Sequence, residues 1–138
     1  MNVALLDTGP LVALFDTEDI AHPHYRALLV GQPSGWHLTT TWPCVAEASH
    51  FLPSAARWKM LRWVEQGGVS VFPFDPGHLD DMLVLMHKYT DSRRTQMDFA
   101  DATLVWAAQE MGVTQIWTTD VRDFYRYRLS DGRGFEIL

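Results

Sequence analysis

Residues 97–111 constrain the fold more than any other part of the chain. They read Met-Asp-Phe-Ala-Asp-Ala-Thr-Leu-Val-Trp-Ala-Ala-Gln-Glu-Met. Ala and Leu are frequent, and no Pro or Gly intervenes before Gly112, so the stretch predicts a helix. Its apolar side chains run almost all the way round, so the helix must be enclosed by other elements rather than lie on a surface. Asp98 and Asp101 sit in its first turns, three apart, and project from one face. No Lys or Arg stands three or four positions from Asp101 on either side. A carboxylate that enters a core this way must find a partner elsewhere or stay protonated.

The remaining 123 positions bound the context. A chain of 138 residues suits one domain, 1–138, with a substantial core. Apolar content of 47% against 20% charged residues is that of a globular protein, not a disordered one. The single cysteine, Cys44, excludes an internal disulfide framework and suits a reducing compartment. The start of the chain lacks a basic segment, and Asp7 interrupts its one apolar run, so no signal peptide is expected. No apolar run reaches the roughly 18 residues of a membrane span. A cytoplasmic protein is the expectation. The formal charge of -6 offers no electrostatic case for nucleic acid. Nine of the 11 cations are Arg, a residue that suits phosphate contacts and surface ion pairs alike.

Short apolar runs bounded by Gly, Pro, Asp and Thr predict strands over 2–6, 36–39, 69–74, 113–118 and 135–138. Between them, helices are predicted over 10–15, 22–30, 43–52, 55–66, 78–89 and 97–111, with a helical turn over 121–125. Alternation of this kind argues for an α/β fold in three layers, a largely parallel five-stranded sheet with helices on both faces. Ligands of such sheets bind at the carboxyl ends of the strands. Asp7 and Asp120 fall just past strand ends, and Glu47 and Asp101 fall early in helices that should start at the same edge. Each has a local explanation: Asp7 as an N-cap, Asp98 with Asp101 as a capping box, Glu47 as a solvent-facing residue. Those explanations do not say why all four share one edge. Two carboxylates about 5 Å apart repel by roughly 3 kcal/mol at an effective dielectric near 20. No cationic side chain in the sequence stands ready to balance them, and a bound cation would. An all-oxygen ligand set selects Mg²⁺ or Mn²⁺ over Zn²⁺, and such a centre supports in-line hydrolysis of phosphodiesters.

Four segments together resemble the PIN-domain ribonucleases, specifically the small VapC-type toxins of type II toxin–antitoxin pairs. They are Leu5-Leu6-Asp7-Thr8-Gly9-Pro10-Leu11, Trp42-Pro43-Cys44-Val45-Ala46-Glu47-Ala48, Met97-Asp98-Phe99-Ala100-Asp101-Ala102 and Thr118-Thr119-Asp120-Val121-Arg122-Asp123-Phe124. By that resemblance Asp7, Glu47, Asp101 and Asp120 are the catalytic quartet that holds Mg²⁺ or Mn²⁺. Thr8 and Thr119 match hydroxyl positions beside it, Asp98 an additional candidate ligand, and Asp123 a weaker one. Arg94, four before Asp98, would compete for Asp98 by pairing with it. The resemblance implies a PIN-like fold, RNA as substrate, a cognate antitoxin protein as partner and a homodimer. Trp42, Phe51, Trp58 and Trp63 are more large apolar groups than one helical face hides, so part of that surface is expected to receive an antitoxin segment, unless these residues are plain core. Two alternatives stand beside this reading. One is another Mg²⁺-dependent phosphoryl-transfer enzyme with Asp7 as nucleophile; the other is a non-catalytic module that keeps the fold.

Overall fold

The computed structural model describes residues 2–138. Five strands, β1 (Asn2–Leu6), β2 (Trp36–Thr40), β3 (Ser70–Val71), β4 (Gln115–Trp117) and β5 (Glu136–Ile137), form one sheet in the order β3-β2-β1-β4-β5. Every pairing is parallel. Ala4, Leu5 and Leu6 are buried in succession. Side chains of a strand alternate between faces, so consecutive burial means that both faces of β1 are covered. Seven helices cover them: α1 (Thr8–Phe15), α2 (His22–Gly31), α3 (Trp42–Phe51), α4 (Ser54–Glu65), α5 (Leu79–Lys88), α6 (Phe99–Met111) and α7 (Val121–Arg126). Among the described residues no helix is long and apolar enough to cross a membrane.

Local chemistry explains the boundaries. Asp98 caps α6 by accepting from the amide of Asp101, so the helix begins at Phe99, two residues later than predicted. Gly112 ends it in the left-handed conformation, φ +68°, where a side chain would be strained. Every residue from Ala100 to Ala108 is buried, as an all-apolar helix requires. The edge strand β3 is shorter than the predicted 69–74, because Pro73 has no N–H to extend the ladder; Phe72 makes the last bond, to the Thr40 carbonyl at 2.9 Å. Beneath the sheet, Trp117 is fully buried, stacked on Tyr25 and edge-on to Trp36.

The sheet order reverses direction at β1: the chain passes to β2 on one side and later to β4 on the other. The crevice at the carboxyl ends of β1 and β4 is therefore the site that parallel sheets open to ligands. Three threonines tie this edge together. Thr40 donates to the Leu6 carbonyl at 2.7 Å, which locks β2 to β1 where the strands end. The hydroxyls of Thr41, at the start of α3, and Thr103 on α6 meet at 2.7 Å, and Thr103 donates to the Ala100 carbonyl.

Candidate metal centre

Asp7 leaves the end of β1 and caps α1. Its Oδ1 accepts from the Thr8 amide at 2.7 Å and its Oδ2 from the Thr118 hydroxyl at 2.7 Å. Thr118 also accepts from the Asp120 amide at 2.9 Å, so one hydroxyl sets both strand-end aspartates. The Cys44 thiol lies 4.0 Å from Asp7 Oδ1, and burial pushes it up to about 12, so it remains a thiol. Burial likewise raises Asp7 itself, to about 6.

Asp101 is 7% exposed, in the first turn of α6. Its Oδ2 accepts from the Tyr127 hydroxyl at 2.8 Å. Burial first, and the charges of Asp7 and Asp98 next, raise its carboxyl to about 8. Burial also pushes the Tyr127 phenol far upward, as does the charge of Asp101, so Tyr127 keeps its proton and donates it. Asp120 caps α7 and is raised to about 6 by burial and by its hydrogen bond with Asp123.

Ligand oxygens of Asp101, Asp120 and Asp123 all lie within 4.8 Å of one another. Among the described residues this is the group of three acidic side chains that meets that distance; Asp7, Glu47 and Asp98 fall outside it. Glu47 is exposed on α3, and its carboxyl is raised by partial burial and then by the charge of Asp98. Its charge and that of Asp98 reach Asp7. Asp7, Glu47, Asp98, Asp101 and Asp120 therefore share one electrostatic neighbourhood. Asp123, the weaker candidate in sequence, belongs to that triad.

The sequence reading finds no cation to balance these carboxylates, and the structure corrects it. Arg126 Nη1 pairs with Asp123 Oδ1 at 3.2 Å, and its Nη2 bonds the Tyr89 carbonyl at 3.1 Å. One guanidinium faces a cluster of many carboxylates, so most of the repulsion stands. Arg94 forms no ion pair among the described residues, and Asp98 uses one oxygen, Oδ1, to cap α6. Thr118, Arg126 and Tyr127 escape sequence reasoning. Arg126 alone carries a local signal, three positions after Asp123. Thr119 is exposed and packs against Gly9, where an added Cβ would collide with its Oγ1. The Thr8 hydroxyl is buried with no hydrogen-bond partner.

An all-oxygen donor set, three carboxylates within reach of one ion, and raised protonation on the buried members are what a hard divalent cation fits. Among the described residues no histidine joins this group; His22 Nδ1 lies 2.6 Å from the Ala13 carbonyl, and His50 is exposed beside Phe51.

The family model described as the PIN domain matches residues 4–129. No curated protein matches the chain in sequence. In structure the chain is similar to the Mycobacterium tuberculosis toxin VapC20, described as cleaving the sarcin–ricin loop, at a TM-score of 0.74. The match covers 88% of this chain and 92% of that one at 14% identity, and so speaks for a shared fold.

Proposed function

The chain belongs to the PIN domain family, and from that premise we propose that it is a Mg²⁺- or Mn²⁺-dependent endoribonuclease, the toxin of a type II toxin–antitoxin pair. The observation that carries the reading is the aspartate triad Asp101, Asp120 and Asp123 at the carboxyl edge of the sheet, with Asp7 behind it. Of these groups Asp7 and Asp101 are buried, where an unbalanced carboxylate is costly and a bound cation would offset the cost. Asp7, Glu47, Asp101 and Asp120 are the quartet that holds the ion, joined by Asp123 and flanked by Asp98. A divalent ion bound there supplies positive charge to the phosphodiester oxygens and lowers the pKa of water. The protein's share is orientation. Thr8 and Thr118 fix both oxygens of Asp7, Tyr127 fixes one of Asp101, and Arg126 takes up part of the charge of Asp123.

The partner follows from the same reading. Trp42, Phe51 and Trp58 are 57%, 65% and 67% exposed, which removes them from the core and favours a docking role. A cleft of about 620 Å³, lined by Phe15, Trp58 and Trp63, flanks α4. An antitoxin segment is the occupant this proposal implies, in a cytoplasmic complex built on a homodimer of the toxin.

The test is cleavage of a mixture of ribosomal and transfer RNA by the purified chain. Activity should vanish in EDTA and return with Mg²⁺ or Mn²⁺. Asp7→Asn, Glu47→Gln, Asp101→Asn and Asp120→Asn should each lower the rate by about 100-fold or more with the circular dichroism spectrum intact. His50→Ala should keep most of the activity. Full activity in any of the four carboxylate variants would remove that residue from the centre.

A further inference from the structure

Consecutive residues, Arg126 and Tyr127, each hold one member of the aspartate triad. Arg126 pairs with Asp123, and the Tyr127 hydroxyl donates to Asp101 Oδ2 at 2.8 Å. The segment that carries them is clamped on both sides to Tyr89, the residue after α5. Arg126 Nη2 reaches the Tyr89 carbonyl at 3.1 Å, and the Arg128 amide reaches the Tyr89 hydroxyl at 2.9 Å. Tyr127 itself is fully buried, its ring edge-on to Tyr89 and to Phe124 with centroids 5.0 Å away in each case. A phenol enclosed by packed rings on a clamped backbone has little freedom, so its hydroxyl is delivered to one point. That point is Asp101 Oδ2; Asp101 Oδ1 receives no hydrogen bond among the described residues.

We propose that Tyr127 is a positioning residue of the metal centre: it engages Asp101 Oδ2 and leaves Oδ1 as the oxygen offered to the ion beside Asp120 and Asp123. The inference rests on the metal-dependent reading above and goes beyond it, because it assigns to a core tyrosine a share of the metal affinity. Without that bond the Asp101 carboxylate can turn about its own axis, and ion binding has to order it. Partners of this kind, which touch a ligand and not the ion, are worth about 10- to 100-fold in affinity.

The experiment is Mn²⁺ binding to the full chain, read from the electron paramagnetic resonance signal of free Mn²⁺. Tyr127→Phe keeps the ring and its packing and removes the donor. Its Kd for Mn²⁺ should rise about 10-fold or more, with near- and far-ultraviolet dichroism preserved. In an Asp101→Ala background the same substitution should change Kd by less than about twofold, because the acceptor through which Tyr127 acts is already gone. Equal Kd in wild type and Tyr127→Phe would overturn the proposal. Undiminished weakening in the Asp101→Ala background would also overturn it, since Tyr127 would then act through the core at large. So would a Tyr127→Phe chain that no longer folds. Failure of the wild type to bind Mn²⁺ would sink the metal-dependent reading itself, a result distinct from normal wild-type binding with Tyr127→Phe unaffected.

Discussion

Asp101 shows how burial sets the chemistry of a single residue here. Its carboxyl is raised from 3.8 to about 8, and those of Asp7 and Asp120 to about 6. In each case burial is the largest cause. Between about pH 4 and pH 8 the folded chain without metal therefore binds more protons than the unfolded one. Stability falls with rising pH wherever the native state is the better proton binder. Below that window both states are protonated and the penalty is gone; above it the penalty is complete. Metal binding has the opposite slope, because ligands must be deprotonated to receive the ion. Thermal unfolding in EDTA should thus show a melting temperature that drops from pH 5 to pH 8.5. Asp101→Asn should flatten that drop and raise the pH 8.5 melting temperature by roughly 3–8 °C, the effect of about 1–2 kcal/mol in a chain of this size. A metal-free wild type that is more stable at pH 8.5 than at pH 5 would contradict the buried-carboxylate picture.

At the level of elements, β2 carries much of the support for the site. Its last two residues and the next, Thr39, Thr40 and Thr41, are all buried and differ in what their hydroxyls do. Thr40 bonds the Leu6 carbonyl and Thr41 meets Thr103, whereas the Thr39 hydroxyl is buried without a partner. Val matches Thr in shape, so the two substitutions separate a satisfied hydroxyl from an orphaned one. Thr39→Val should stabilise the fold by about 1 kcal/mol, and Thr40→Val should destabilise it by about 1–2 kcal/mol, since it strands a buried carbonyl next to Asp7. Urea unfolding of the two variants measures both. The reverse order would mean that β2 does not hold the end of β1 through Thr40.

Across the whole molecule, what the sequence reveals depends on the range of the interaction. Strands such as 2–6 are legible because a short apolar run is bounded by Asp-Thr-Gly-Pro, and α6 because nothing breaks its apolar pattern before Gly112. The parallel sheet follows from their alternation. Asp7, Asp101 and Asp120 are legible because strand ends and first turns are positions with a local grammar. Tyr127 is not: it reads as one more aromatic core residue, and the carboxylate it serves lies on another helix, 26 residues back. Thr118 is hidden in the same way, bonded to Asp7 across the sheet, and Thr119 next to it looks equivalent in sequence. Asp123 enters the triad because the short helix α7 turns it back beside its own cap, Asp120.

In the proposed reaction a divalent ion held by the carboxylates directs water, as the nucleophile, to the RNA phosphodiester. The competing route uses the substrate's own 2′-hydroxyl with histidines as acid and base, and leaves a 2′,3′-cyclic phosphate. End-group analysis of the RNA fragments separates the two routes. Ends bearing a 5′-phosphate and a free 3′-hydroxyl, formed with Mg²⁺ or Mn²⁺ and absent in EDTA, are the predicted result. Cyclic-phosphate ends, or cleavage that persists in EDTA, would contradict it.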